Sequence, residues 1–165
     1  SAGDIGAVGG RITRMDGRLQ EAGSIVWNDG SCFGYGRDDD PTRSEYGFRR
    51  EVDYCSGAFL LTPRKLFEEM GRFDEDFAPA YYEETDYCMR LWRGGHRVLY
   101  EPDAVVLHFE FGSAAVREDA IGLQRKNQAL FFEKHQDRLA RQHPPDLQNV
   151  LAARSRDATR PRRAP

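Results

Sequence analysis

Tyr81-Tyr82-Glu83-Glu84-Thr85-Asp86-Tyr87-Cys88-Met89-Arg90-Leu91-Trp92-Arg93 runs into Gly94-Gly95. The stretch reads as a helix, and the glycine pair suits the left-handed turn that ends one. At helical spacing Glu84 lines up with Tyr87, Cys88 and Leu91, which puts its carboxylate at the head of the apolar stripe. Asp86 and Arg90 fall on another side, where an exposed pair adds little stability. The positive end of the helix dipole favours a carboxylate in the first turn, keeping it ionised and able to accept a proton. Acidic first turns are also ordinary, so a structural role stands beside the catalytic one.

Downstream, His96 to Pro102 and Ala104 to Phe109 form two short apolar runs that read as separate strand-like segments. His108 closes the second, and a neutral imidazole at a strand end can be a metal ligand or an ordinary half-buried histidine. Glu110-Phe111-Gly112-Ser113 reads as a loop able to fold over the site, and about Ile121 to Gln142 as a helix with an incomplete apolar face.

Upstream, Gly10 to Met15, Asp16-Gly17 and Arg18 to Gln20 carry a hairpin signal, since both central positions of an Asp-Gly turn tolerate positive φ. Ala22 to Trp27 is a further extended piece ending in the turn Asn28-Asp29-Gly30. Asp38-Asp39-Asp40-Pro41 offers three carboxylates to a hard cation, or else a solvated turn before proline. Val52 to Leu61 reads as a buried strand broken at Ser56-Gly57, where a missing side chain lets a ligand or another backbone approach. Thr62-Pro63 opens a short helix, with Thr62 as its cap and Gly71 past its end. Phe67, Met70, Phe73 and Phe77 read as core.

At 165 residues the chain holds one domain, and 39% hydrophobic with 31% charged residues is a globular composition. A net charge of -3 gives no electrostatic case for nucleic acid. No apolar run approaches the roughly 20 residues that span a bilayer. The three cysteines, Cys32, Cys55 and Cys88, have no metal-type spacing and read as reduced thiols of a cytosolic protein.

Four motifs in order carry a resemblance: Val52 to Phe59, Gly71 to Phe77, Tyr82 to Arg90, and Val106-Leu107-His108. Together they resemble the second half of family 2 glycosyltransferases over about Gly6 to Leu139, and the pattern is most similar to rhamnosyltransferase-type members. The resemblance implies an α/β fold: a partial GT-A (nucleotide-diphospho-sugar transferase) fold, a mixed sheet with a β-hairpin and flanking helices, lacking the N-terminal nucleotide-binding half. It maps the catalytic base onto Glu84, where this chain has Glu and the family usually Asp. Glu83 and Asp86 would orient or screen that base. His108 maps onto the His that helps hold a divalent metal, Mg2+ or Mn2+, supplied mostly by the missing half. The loop from Gly71 to Tyr82 would border the acceptor pocket, which makes Asp53, Gly57, Asp74 and Arg90 candidate substrate contacts; capping or turn roles also suit Asp53 and Asp74. The family's Asp-x-Asp metal motif belongs before Gly6, so Asp38 to Asp40 stands in the wrong place for it.

The implied function is part of an inverting transfer of sugar from a nucleotide-diphosphate sugar to a glycan or lipid-linked acceptor, in cell-surface polysaccharide synthesis. The implied location is the cytoplasm, or peripherally the inner face of the membrane. Residues 1–142 form the acceptor-side half and 143–165 a basic Pro/Arg-rich linker, from which similar chains often continue into another transferase domain. The isolated fragment is expected to be inactive and to self-associate through the sheet edge that the missing half would cover. Two other classes fit part of the pattern: a non-catalytic carbohydrate-binding or interaction module, and a glycoside hydrolase pairing Glu84 with Asp86 or Asp74.

Overall fold

The computed structural model describes residues 4–109 and 117–156, with the side chains of 117–119 excepted. The chain opens with β1 (Ile5–Arg14), turns back into β2 (Leu19–Glu21), and makes a second small hairpin from β3 (Ser24–Val26) and β4 (Cys32–Gly34). Short strands β5 (Arg50–Glu51) and β6 (Leu60–Leu61) precede α1 (Arg64–Glu69) and α2 (Glu83–Arg93). The long strand β7 (Arg97–His108), α3 (Arg117–Leu139) and α4 (Val150–Ala153) complete it.

β1 and β7 run parallel at the centre of a mixed sheet. β2 and β6 pair antiparallel with β1, and β5 antiparallel with β7. This is the expected mixed α/β architecture with a hairpin and flanking helices. The hairpin turn differs in detail. Arg14 and Arg18 close a three-residue loop in which Gly17 alone takes positive φ, +81°. Gly17 is the left-handed residue that closes the loop, and the Asp16 carboxylate accepts the Arg18 N–H at 3.0 Å. Asn28-Asp29-Gly30 repeats the device, with Gly30 at φ +78°.

The two apolar runs between His96 and Phe109 are halves of one strand. Gly10 pairs with Glu101 and Arg11 with Val105, so residues 102–104 bulge out of the ladder. Pro102, which has no N–H to give, sits where the ladder does not ask for one. Gly10 makes the bulge possible: a Cβ there would lie 2.2 Å from the Ala104 carbonyl oxygen.

Val52 to Leu61 is not a single strand. Tyr54 makes one bridge to Ser24, Gly57–Phe59 form a 3-10 turn, and only Leu60–Leu61 pair with β1. Thr62 does not cap α1. Its hydroxyl donates to the Gly6 carbonyl at 2.8 Å and lies 2.7 Å from the Tyr87 hydroxyl, tying β1 to α2, while Pro63 is the residue before the first helical turn. Gly71 lies just past the end of α1 at φ +85°.

The core is built where α2 packs on the sheet under α3. Tyr87, Tyr100, Phe77 and Phe131 are fully buried, each worth about 1.5–3 kcal/mol of apolar burial. Phe67 and Met70 pack against this core, and Phe73 stays partly exposed in edge contact with Phe67 and Tyr87. All three cysteines are free. The chain also stays docked beyond residue 143, where the sequence reads as a linker. The His143 carbonyl accepts from the Asn28 N–H at 3.0 Å, and Arg154 donates to the Tyr35 hydroxyl at 2.6 Å. Arg156 pairs with Asp53 over the Trp92 ring. The reason is that each basic residue finds an aromatic face or a buried carboxylate, a pattern composition alone does not show. Glu110 to Ser113 and the arginines at 160, 162 and 163 lie outside the described residues. Among the described residues no helix is long and apolar enough to cross a membrane.

Candidate active site

A cleft of about 770 Å³ opens beside the start of α2. Its walls are β2, Ser31 with β4, Arg37, the Tyr54 to Ala58 loop, the residues from Ala80 to Thr85, the end of β7 and one side of α3. Glu83, Glu84, Gly57 and His108 all line it. Asp53, Asp74, Asp86 and Arg90 do not.

The approach to α2 is sterically unusual. Tyr81 and Tyr82 both hold φ +75°, a left-handed conformation that non-glycine residues rarely adopt. The helix therefore begins at Glu83 rather than Tyr81, so the paired glutamates are its first two residues. Tyr82 is held from two sides: its hydroxyl donates to the Gly30 carbonyl at 3.0 Å, and its ring packs on Phe131 with centroids 5.2 Å apart.

Glu84 faces into the cleft. One carboxylate oxygen is 3.4 Å from the Gly57 N–H, and the other is buried with no hydrogen-bond partner among the described residues. Burial pushes this carboxyl up to about 7, and Glu83 beside it adds repulsion. Burial likewise raises Glu83, which also keeps one buried oxygen without a partner. The helix dipole thus does not keep Glu84 fully ionised. A dipole contributes about 0.3–1 kcal/mol, whereas a rise from 4.5 to about 7 corresponds to about 3 kcal/mol, chiefly lost solvation with repulsion from Glu83 added. The result is a carboxyl poised near neutral pH, where a general base works best.

Gly57 touches Glu84 directly. A Cβ there would sit 3.6 Å from the Cβ of Glu84, an ordinary contact, so the glycine leaves open the space over the carboxylate. The same loop is held from below by a residue that sequence patterning passed over. Glu21, buried in β2, accepts the Ser56 N–H at 2.9 Å through one oxygen and the Ser24 hydroxyl at 2.9 Å through the other. Ser56-Gly57 is thereby slung between two carboxylates. Gln20, also buried, places its side-chain oxygen 2.9 Å from His108 Nδ1. An amide oxygen only accepts, so Nδ1 is the donor in this contact and Nε2 is the ring nitrogen left for a metal. Neighbouring polar residues in a three-residue strand look like a solvent face, and that is why neither stood out.

The other four candidates lie outside the cleft lining and make contacts that join elements of the fold. Asp53 is buried, accepting from the Val26 N–H at 2.9 Å and pairing with Arg156. Asp74 caps the short turn Glu75–Phe77 by accepting the Asp76 N–H at 3.0 Å; Lys134 lies on its other oxygen and holds its carboxyl below the usual range. Asp86 corrects the expectation of an exposed pair with Arg90. It is 2% exposed because α3 covers that side of α2, and its two oxygens contact Arg90 Nε at 2.7 Å and His135 Nε2 at 2.8 Å. Arg90 goes on to donate to the Met70 and Arg72 carbonyls, so its guanidinium is spent on the end of α1.

Among the described residues no group of three or more His, Cys, Asp or Glu side chains comes together to hold a metal. Asp38 to Asp40 is a turn: Asp38 pairs with Arg14 at 2.5 Å, Asp39 accepts the Tyr46 hydroxyl at 2.7 Å, and Asp40 accepts from Thr42. His108 fits a metal as a single ligand, and only with further ligands from outside these residues.

No family model matches the chain. It is 34% identical over 83 residues to an N-acetylglucosaminyl-diphospho-decaprenol L-rhamnosyltransferase of Mycobacterium tuberculosis, 50% of this chain and 26% of that protein. It is 34% identical over 58 residues to the rhamnosyltransferase WbbL of Escherichia coli K12, 35% of this chain and 22% of that protein. An uncharacterized protein, y4gI, of Sinorhizobium fredii is 25% identical over 114 residues, 66% of this chain and 12% of its own length. The chain thus spans about a quarter or less of the curated relatives it matches. Likeness to two rhamnosyltransferases over up to half the chain supports a glycosyltransferase-type function in general.

Proposed function

We propose that this chain is the acceptor-side part of an inverting glycosyltransferase of family 2 and GT-A type, and that Glu84 is its general base. The observation that carries the reading is the state of Glu84: a cleft carboxylate with one buried oxygen that has no hydrogen-bond partner and no cation among the described residues, and a proton affinity near neutral pH. In the proposed step Glu84 takes the proton of the acceptor hydroxyl, and the hydroxyl oxygen attacks the anomeric carbon. The bond from that carbon to the nucleotide diphosphate breaks on the opposite face, which inverts the centre. Removing a proton in this way accounts for about two to four orders of magnitude in rate.

Gly57 keeps the approach to Glu84 open, and the Glu21 anchor on Ser56 holds that loop in place. His108, oriented by Gln20, would hold a Mg2+ or Mn2+ ion on the donor diphosphate together with groups outside this chain. Such an ion would offset the charge of the leaving diphosphate. The donor is a nucleotide-diphosphate sugar, and the acceptor a glycan or lipid-linked saccharide. A hydrolase drawing on Glu84 with Asp86 or Asp74 lacks its second carboxyl, because both are tied to cations away from the cleft.

The test is nucleotide release from a panel of sugar nucleotides with Mn2+, comparing the full-length protein, residues 1–165 and full-length Glu84→Gln. Turnover by wild-type full-length protein alone is expected. Unchanged turnover in Glu84→Gln would remove the base assignment, and activity of residues 1–165 alone would place the nucleotide site inside this chain.

A further inference from the structure

α3 carries a fully buried asparagine aimed at the backbone that leads into Glu83 and Glu84. Asn127 is 0% exposed, and its Nδ2 lies 2.9 Å from each of three carbonyl oxygens: Phe77, Ala80 and Tyr81. An amide nitrogen has two hydrogens, so three carbonyls share them. The Ala80 and Tyr81 carbonyls belong to the peptide units immediately before Tyr81 and Tyr82. Rotation of those two units is what φ of Tyr81 and φ of Tyr82 describe, and both stand at +75°. A left-handed residue with a side chain costs roughly 1–2 kcal/mol, and two in succession persist only where surrounding contacts determine them. Tyr82 is also anchored through its hydroxyl and its ring, but the described side-chain hydrogen bonds to these two peptide units come from Asn127.

We propose that Asn127 is a positioning residue of the cleft: by gripping the Ala80 and Tyr81 carbonyls it holds the left-handed Tyr81-Tyr82 pair and so sets where the Glu84 carboxylate stands. The inference rests on Glu84 being the working group of the site. α3 itself is registered by neighbouring contacts. Lys134 pairs with Asp74 and Asp76, and Phe131 packs under Tyr82. Releasing Asn127 therefore frees the loop while leaving the helix docked. With the pair relaxed, α2 loses its entry angle and Glu84 turns toward solvent, away from Gly57, Glu83, Glu21, Cys32, Tyr54 and Tyr82, which face it now.

The test reads the position of Glu84 without requiring turnover. In full-length protein carrying 13Cδ-labelled glutamate, the Glu84 resonance is identified by its loss in Glu84→Gln, and its titration midpoint is followed in Asn127→Ala and Asn127→Ser. A fall of a unit or more from about 7 is expected for Asn127→Ala, and a smaller fall for the serine, which keeps one donor. An unmoved midpoint in folded protein overturns the proposal. If Asn127→Ala does not fold, the same substitution in a Tyr81→Gly, Tyr82→Gly background decides, because glycine adopts positive φ at no cost. Recovery of folding there supports the grip on the left-handed pair, and an equal loss overturns it. The two ideas fail separately: unchanged turnover in Glu84→Gln removes the base and leaves the midpoint test standing, whereas an unmoved midpoint removes the role of Asn127 and leaves the base.

Discussion

Glu84 and Asp86 stand two residues apart on one helix, the first lining the cleft and the second buried under α3, and the structure treats them oppositely. Asp86 has a cation or a histidine on each oxygen. Glu84 has one backbone N–H at 3.4 Å, a second oxygen with no partner among the described residues, and a like charge beside it. A carboxylate that joins elements is given countercharges, because a buried ion without one costs several kcal/mol. A carboxylate that must take and release a proton is left without them, and its affinity rises until the proton is nearly as stable on as off. Two other acids follow the first pattern, Asp53 with Arg156 and Asp74 with Lys134, while Glu21 is satisfied by a backbone N–H and a hydroxyl. Among the described residues the pair that opens α2 follows the second, each glutamate keeping a buried oxygen without a hydrogen-bond partner.

The sharpest way to break this contrast is to remove each charge and see which function goes. Glu84→Gln keeps the shape of the side chain, and in the full-length protein it is expected to lower nucleotide release by about two to four orders of magnitude while leaving folding intact. Asp86→Ala should do the reverse. It strands Arg90 and His135, so unfolding in urea is expected to show a loss of about 3–5 kcal/mol. A large stability loss from Glu84→Gln would erase the distinction.

The two carboxylates also differ in how much of them the sequence shows. Glu84 was legible because a helical stripe of Glu84, Tyr87, Cys88 and Leu91 is a local pattern, and all three of its apolar partners are fully buried. Asp86 was not, since its burial depends on α3, whose own inward face looks incomplete. The stripe spaced four apart on α3 is Asn127, Phe131, His135 and Leu139, all buried, and two of the four are polar. Those two do the joining: Asn127 to the Phe77 to Tyr81 loop, and His135 to Asp86, at a point where the helix backbone leaves helical geometry at φ -127°. A search for apolar periodicity counts such residues as gaps. The hairpins were legible for the converse reason, since Asp16-Gly17 and Asn28-Asp29-Gly30 need only their own backbone preferences. β7 was half legible: both apolar runs are strand, and the bulge that keeps them in one strand depends on Gly10, some 90 residues earlier.

A third expectation uses pH. The folded-state affinity of Glu84 is raised above its unfolded value near 4.5, so its contribution to stability is fully present below pH 4.5 and is lost as pH rises through about 7. The loss amounts to at most about 3 kcal/mol across that window. Asp74 is shifted the other way and adds its dependence at lower pH, below its ordinary value of 3.8. Comparing wild-type and Glu84→Gln unfolding free energies between pH 4.5 and 8 isolates the Glu84 part. The two curves should converge at the acid end and separate toward pH 8, with the glutamine variant the more stable. Parallel curves would mean that Glu84 is solvated and ordinary.

The smallest effect is expected at Asp74, and it sharpens the comparison because the pairing there is just as close. Lys134 Nζ lies 2.5 Å from Asp74 and 2.7 Å from Asp76. These side chains are open to water, though, at 28% exposure for Lys134, 31% for Asp74 and 65% for Asp76. Water screens such a pair and hydrates whichever partner is left, so Lys134→Ala is expected to cost no more than about 1 kcal/mol. Raising salt to 1 M should shrink the difference further, since screening then acts over about 3 Å. The buried bond between Asp86 and His135, at a similar distance, should be far less sensitive to salt. If Lys134→Ala proved as damaging as Asp86→Ala, distance and not burial would decide what a charge pair is worth here, and the poise assigned to Glu84 would lose its physical basis.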